Sequence, residues 1–560
     1  MLIKLHRFNT VIMQNFRLPF LVFLFLNASI YGQYNGSGFG YPLGNTPVVT
    51  GNYGELRPNH FHAGIDFRTD PVSNLPIKSV AAGYVSRIKI SSGGYGRVLY
   101  ITHPNGYVTV YAHQKRYASK IEIYTRQKQI VQKKNEIELF PMPGELPVEK
   151  DEVIGYTGNT GSSTGPHLHF EIREEKTEIP VNPLLFYAIK DEVKPTLTHV
   201  AVYNMSDTNA IVMQQVSALN AKTNTLSLAN NLFLLNQNTF AIAFAGYDQA
   251  NGTTNKNNIY DAKLKLDGQL IYHHQLNGIS FDNARYVNYF SEKTAGYKFQ
   301  KCFSPTCFDI GIYRKALNGG KIELKDTLRH TVELLLADEK GNATSCVFYV
   351  RTNRINGYKA DGNMYNAWCN KECHVKKEEV EFRIKPGTLT RSTYIAAYIN
   401  KAGKVCVGNK NEQLLKPYSI SLKVASPLVG KESRMVAVNE DNCLIGTYEN
   451  SWFKTESKYF GAFSISYDTI APRLVPPPAK NGKAIVKHSI SFKITDNLSG
   501  ISDYAVYING IWQITEYDAK SSAMTCYFDD AVPSGTLSIK AEVTDRVGNT
   551  GKLELTAFRN

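Results

Sequence analysis

Cysteine is absent from the first 301 residues of this 560-residue chain; all eight (302, 307, 346, 369, 373, 406, 443 and 526) come later. That excludes disulfides and thiolate metal ligands from the N-terminal part, so any metal site there rests on histidines and carboxylates. Long apolar runs are scarce as well. Leu18–Leu26 falls well short of the ~20 residues that cross a bilayer, and no other stretch reads as a transmembrane helix. Acidic residues are outnumbered by basic ones, 49 to 63, for a formal net charge of +14. Nothing resembles a nucleic-acid-binding motif. The remainder is ordinary: 43% hydrophobic and 20% charged residues are enough for a sizeable core. A prior of about 150 residues per domain divides such a length into three or four domains.

Lys4, Arg7 and Arg17 precede the Leu18–Leu26 run, and the small residues Ala28, Ser29 and Gly32 follow it. This is the layout of a secretory signal peptide over residues 1–32, cleaved after Gly32, with Met13 as a second candidate start. An uncleaved membrane anchor is the other reading; the lack of a cysteine at the cleavage point argues against a lipid anchor. The expectation is an exported mature chain, retained in the periplasm or displayed at the cell surface, with no integral membrane segment. The leader has three basic and no acidic residues, so its loss takes the charge from +14 to +11. A basic exported protein accumulates at anionic surfaces such as a cell wall or lipid headgroups. Export argues against a nucleic-acid partner.

Residues 33–60, rich in Gly, Pro and Asn, read as an entry arm with a strand near Val48–Tyr53. Short β-like runs follow at Val80–Ile90, Val98–Thr102 and Tyr107–His113, the last two joined by a hairpin at His103-Pro104-Asn105-Gly106. From Ala118 to Phe140 there is no Gly or Pro, and Tyr117, Ile121, Tyr124 and Val131 recur at helical spacing. This predicts a helical insert over about 114–150, ended by Pro141, Pro143 and Pro147. Seven basic residues against one acidic between Lys115 and Lys134 make it a solvated face or a basic wall for an anionic polymer. Glu152–Tyr156 resumes a strand.

Beyond about Val193 the chain is β-rich with frequent turns, which predicts sandwich domains at 193–355, 356–467 and 468–560. Asp338-Glu339-Lys340-Gly341-Asn342 and Asp545-Arg546-Val547-Gly548-Asn549 form a weak repeat, each after an apolar strand. Turn chemistry explains it, with calcium ligation as the alternative. The close pairs Cys302/Cys307 and Cys369/Cys373 suggest small disulfide loops; Cys369-x-x-x-Cys373-His374 as a zinc site lacks a second ligand pair.

The chemistry concentrates in Gly161-Ser162-Ser163-Thr164-Gly165-Pro166-His167-Leu168-His169-Phe170-Glu171. In a strand, His167 and His169 face the same way. His62 and Asp66, four apart with Gly64 between them, can also reach one point. His62, Asp66 and one histidine of the later pair make the two-His, one-carboxylate set of a catalytic zinc with an open position. The other histidine and His113, which ends the Tyr107–His113 strand, are then free for proton transfer and oxyanion stabilisation. His60 reads as a supporting or surface residue and His103 as structural. Glu171 is an acceptor for an imidazole or a solvent-facing charge.

His62-x-x-x-Asp66, Tyr111-Ala112-His113 and Gly158-Asn159-Thr160-Gly161 through Thr164-Gly165-Pro166-His167-Leu168-His169-Phe170-Glu171 resemble the three signatures of the lysostaphin/LytM-type zinc endopeptidases. The resemblance covers roughly residues 45–185. It implies an antiparallel LytM-type peptidase domain, placed here at 33–192; with the helical insert and the Ig-like β-sandwich domains read from the residues, the expected fold class is mainly β. It also implies one Zn²⁺ held by His62, Asp66 and His169, with His113 and His167 as the catalytic pair. The implied substrate is the peptide stem or cross-bridge of peptidoglycan, with envelope proteins as further partners through the C-terminal domains. The insert and the trailing domains depart from the family pattern. Members that lack ligands act as non-catalytic regulators, and that is the rival reading.

Overall fold

The computed structural model describes residues 38–44, 48–69, 74–205, 212–220, 225–226, 231–294, 296–305, 309–355, 366–440, 442–480 and 483–560. The expected signal peptide at 1–32 lies outside them.

The N-terminal domain is built on an antiparallel sheet. Its strands are β1 (Val49–Gly51), β2 (Ile65–Arg68), β4 (Gly83–Ile90), β5 (Arg97–Thr102), β6 (Tyr107–Ala112), β8 (Ile137–Leu139) and β10 (His167–Glu174). They lie in the order β1-β2-β10-β6-β5-β4-β8. A second, three-stranded sheet is formed by β3 (Pro76–Lys78), β9 (Val153–Tyr156) and β7 (Arg116–Tyr117), in that order. Alternation puts Ile65, Phe67, Leu168, Phe170 and Ile172, all fully buried, among the core side chains. The β5–β6 hairpin forms at Asn105-Gly106, where Gly106 takes φ +81°, as the turn pair requires.

The insert is only partly helical, which corrects the sequence reading. Helix α1 covers Ser119–Gln132 and stops at Lys133, whose left-handed φ of 50° places its amide on the carbonyls of Gln129 and Ile130. The prolines do not end it. Ile137–Leu139 instead adds a strand to β4, and Pro147–Val148 pairs with Gly83–Tyr84. The buried face is Ile121, Thr125 and Gln129, while Val131 is 82% exposed. Tertiary docking decides this: Gln129 and Asn135, polar in sequence, are buried because Asn135 bridges to the last domain.

That bridge is specific. Asn135 Nδ2 donates to the Tyr504 carbonyl (2.6 Å), and its Oδ1 accepts the Thr515 amide (2.8 Å). Arg97 pairs with Glu122 on α1 and with Glu516 (3.0 Å), and Arg126 faces Asp529 at 3.5 Å. One side of the basic insert is thus covered by the C-terminal sandwich. Asn135→Ala should loosen this contact by about 1–3 kcal/mol, the cost of leaving buried partners unsatisfied. Limited proteolysis would show faster release of the C-terminal domain.

Three two-sheet units follow. In the first, a sheet containing Thr196–Asn204 and Thr239–Tyr247 packs on one containing Asp261–Leu266, His330–Ala337 and Ala343–Thr352. Val200, Phe240, Ile242 and Phe244 meet Leu264, Leu334, Leu336 and Phe348 between them. The second and third units are built in the same way around Phe382, Ile420 and Phe463, and around Phe492, Val506 and Ile539. The chain is mainly β, as expected. The core of the N-terminal domain also runs on into the first unit, with Phe61 against Phe290 at 5.8 Å. The short disulfide loops do not form: Cys302 and Cys373 are free thiols, whereas Cys369 is disulfide-bonded; Cys307 lies outside the described residues. With Cys369 oxidised and His374 bonded to Glu381 (2.8 Å), the thiolate zinc alternative fails too.

Candidate metal centre

Register brings the motif residues together. On β10, His169 lies opposite Asp66 of β2 on one side and opposite Ala112 of β6 on the other. His113 follows Ala112 directly, in a left-handed conformation (φ 60°) that swings it off the strand. Its amide is held by the Tyr95 carbonyl at 3.0 Å. His62 sits in the turn before β2, its amide and carbonyl bonded to Glu55 (2.9 Å) and Gly54 (2.8 Å). The turn is tight because Gly64 passes under β10: a Cβ there would lie 2.2 Å from the Phe170 carbonyl oxygen.

Three donor atoms form a small triangle. His62 Nε2 lies 2.8 Å from His169 Nδ1, and both are 3.0 Å from Asp66 Oδ1. The other atoms of these groups are committed elsewhere. His62 Nδ1 donates to the Asn52 carbonyl (2.8 Å), and His169 Nε2 donates to Glu171 Oε1 (2.8 Å). Asp66 Oδ2 takes the Arg57 guanidinium. With the outer nitrogens committed, the inner nitrogens of both imidazoles and Asp66 Oδ1 converge on one point. Burial lowers the His169 pKa, but its hydrogen bonds to Asp66 and Glu171 outweigh that and raise it to about 8, so a proton holds this point until a cation replaces it. Two imidazole nitrogens and a carboxylate oxygen meeting at one point are an N/O donor set that suits zinc. The donor set fits the metal the resemblance implies. Burial lowers the His62 pKa, so its neutral form is favoured.

His113 and His167 stand beside the triangle, their rings 4.8 Å apart. Each is anchored by Nδ1, His113 to the Thr160 carbonyl (2.8 Å) and His167 to the Gly165 carbonyl (2.8 Å). Each Nε2 is then the free nitrogen. That of His167 is buried without a hydrogen-bond partner among the described residues, 3.5 Å from Asp66 Oδ1. Burial, with His169 and His167 nearby, lowers the His113 pKa to about 3.

Behind His169 lies a buried chain. Glu171 is fully buried rather than solvent-facing, and its Oε2 accepts Arg173 Nε at 2.7 Å. Burial raises its pKa, but Arg173 and His169 outweigh that and hold it at about 2. The Tyr95 hydroxyl donates to the same carboxylate, and its ring stacks on His169 at 5.1 Å. Glu171→Gln should cost about 3–5 kcal/mol, because Arg173 loses its buried counter-ion and keeps only the exposed Glu178 at 3.7 Å. Metal affinity should fall ~10–100-fold, checked by competition with a chromogenic chelator.

All five motif residues thus lie in one place. His60 is exposed and bonds the Pro58 carbonyl, and His103 is buried on Ala82 and Thr109. Arg57, Asn52 and Tyr95 carry no sequence signal of their own, whereas Thr160 lies inside the Gly158–Gly161 motif. Two larger cavities border the centre. One, of about 500 Å³, is lined by Arg57, Lys298, Arg391 and Glu412; another, of about 650 Å³, lies between α1, the Gly158–Gly161 loop and the C-terminal sandwich.

An antiparallel sheet that aims two imidazoles and a carboxylate at one point, with two more imidazoles alongside, is a donor set of the metallohydrolase kind. The family comparison is more specific. Residues 60–140 and 143–183 match the model of Peptidase family M23, so the chain carries an M23, LytM-type domain. The DD-carboxypeptidase/endopeptidase Mpg of Neisseria meningitidis serogroup B is 34% identical over 123 residues, 22% of each chain. An uncharacterized metalloprotease of Haemophilus influenzae is 31% identical over 163 residues, 27% of this chain and 28% of its own. The chain therefore spans less than a third of these relatives' length. Among solved structures, the catalytic domain of the M23 protein EnpA from Enterococcus faecalis is 27% identical. That alignment covers 26% of this chain and 95% of that one, with a TM-score of 0.20. Among the described residues no helix is long and apolar enough to cross a membrane.

Proposed function

We propose that this chain is an exported zinc metalloendopeptidase that hydrolyses peptide bonds in the stem peptides or cross-links of peptidoglycan. The observation that carries the reading is the convergence of His62 Nε2, Asp66 Oδ1 and His169 Nδ1 within 3.0 Å of one another. His62, Asp66 and His169 would hold the ion, which supplies Lewis-acid chemistry: it lowers the pKa of water towards 7 and polarises a carbonyl.

The protein's own groups do the rest. His113 and His167, fixed through Nδ1, present Nε2 to the substrate. One takes and returns a proton, passing it to the leaving amine, while the other, once protonated, donates to the developing oxyanion. Arg57 on Asp66 and Glu171 on His169 keep the donor atoms oriented. Net positive charge favours residence at an anionic wall. The three sandwich domains, at 193–355, 356–467 and 468–560, position the peptidase domain.

The test is bound zinc per chain and release of new amino termini from purified peptidoglycan. Both should be present in the native chain, and both lost in His169→Ala and Asp66→Ala. A metal-free, inactive protein that stimulates another wall hydrolase would replace this reading with the regulator.

A further inference from the structure

The Asp-x-x-Gly-Asn repeat folds twice into one turn. Asp338 Oδ1 accepts the amides of Lys340 (2.9 Å) and Asn342 (2.8 Å), and its Oδ2 accepts Asn342 Nδ2 (2.7 Å). Asp545 does the same with Val547 (3.0 Å), Asn549 (2.8 Å) and Asn549 Nδ2 (2.7 Å). In each turn the asparagine also donates to the carbonyl of a distant aspartate, Asp191 (3.0 Å) or Asp468 (2.8 Å). Turn chemistry therefore accounts for the motif, but not for the carboxylates gathered on it.

A third aspartate completes each group. One side-chain oxygen each from Asp191, Asp248 and Asp338 lie within 4.8 Å of one another, and so do those of Asp468, Asp496 and Asp545. The repeat is longer than its motif. Asp191 and Asp468 each stand four before a proline (Pro195, Pro472), and Asp248 and Asp496 each four before a glycine (Gly252, Gly500).

In both groups the same atom lacks a partner. Oδ1 of Asp248 and Oδ1 of Asp496 are buried without a hydrogen-bond partner among the described residues, and Asp248 is only 4% exposed. Asp338 and Glu339 beside it are buried too. The neighbouring Lys340 ammonium is committed to the carbonyls of Leu184 (2.7 Å) and Tyr187 (2.8 Å). Burial, with Glu339, Asp338 and Asp191 adding to it, pushes the Asp248 pKa up to about 8. Asp191 and Asp248 line a small cavity together with Asn52, Asn257, Glu339 and Lys340.

We propose that Asp191, Asp248 and Asp338 form a calcium site at the junction between the M23 domain and the first sandwich. The donors are all oxygen, which selects a hard cation over zinc or copper. Calcium takes about six to eight oxygen ligands in flexible geometry, as gathered carboxylates and carbonyls offer, whereas magnesium demands near-ideal octahedral coordination. The ion answers the unpartnered Oδ1 of Asp248 in the midst of the gathered carboxylates. It ties the segment leaving the M23 domain, through Asp191, to two turns of the sandwich, and so fixes the angle at which the metal centre is carried.

The test counts bound calcium on the zinc-loaded full chain by equilibrium dialysis, at roughly 5 mM free calcium. That is above the ~10⁻⁴–10⁻³ M dissociation constants of extracellular calcium modules. Asp248→Asn should bind one equivalent fewer than the native chain. Asp191→Asn, at a half-buried position, should show the same loss and answers the question if the first variant does not fold. Proteolysis between residues 188 and 195 should be slowed by calcium in the native chain only. Equal calcium counts in the native chain and the folded variants would overturn the site, and displacement by equimolar magnesium would overturn its assignment to calcium.

Discussion

Replacing His113 or His167 with alanine should leave one zinc bound per chain and slow peptidoglycan hydrolysis ~10²–10⁴-fold, the usual worth of a positioned proton-transfer group. The two effects separate because neither imidazole belongs to the donor triangle. His62 Nε2, His169 Nδ1 and Asp66 Oδ1 lie within 3.0 Å of each other, whereas His113 and His167 are tied through Nδ1 to backbone carbonyls. Burial, with His169 and His167 nearby, lowers the His113 pKa to about 3, so in the resting site the ring is neutral. The measurement is metal content alongside the rate of amino-terminus release. Loss of zinc in either variant would assign that histidine to the metal instead.

Gly64→Ala should be more damaging than any single surface change, although it adds one methyl group and touches no donor atom. The added Cβ would sit 2.2 Å from the Phe170 carbonyl oxygen and 2.8 Å from Glu171 Cγ, so β2 and β10 must move apart. Overpacking of this kind costs about 1–3 kcal/mol or more. The strain falls on the pairing that sets Asp66 opposite His169. Zinc affinity should therefore fall together with thermal stability, even though all five motif residues remain. A stable variant with full zinc affinity would show that the turn relaxes without disturbing the register.

The legible part of the site was its chemistry. His-x-His on a strand, His62 four before Asp66 and His113 at a strand end are local patterns, and local geometry carries them. Arg57, Tyr95 and Asn52 were not legible, because each reaches the site through its partner's position rather than its own neighbours in sequence. The insert shows the same limit. Freedom from Gly and Pro marked a helix correctly near Ser119–Gln132, but no periodicity announces that Ile137–Leu139 leaves the helix to pair with β4. Val131 fits the apolar spacing and yet stands in solvent, while Gln129 is buried. Burial there is set by the sheet and by the C-terminal sandwich.

The cysteines and aspartates make the point at longer range. Proximity in sequence allowed the loops Cys302/Cys307 and Cys369/Cys373 without fixing a pairing, and Cys302 and Cys373 are free, since tertiary position decides which thiols meet. Asp338 and Asp545 could be matched from their turns alone, whereas Asp191, Asp248, Asp468 and Asp496 joined them only when strands far apart in sequence were brought to one end of each sandwich. By itself the amino-acid order determined the β class, the M23 motifs and the residue types able to bind a metal, because period-two alternation and turn chemistry are local. Tertiary structure alone decided which nitrogen of each histidine is free, which carboxylates stand together, and how the last domain covers the insert, because these depend on strand register and on packing between distant segments.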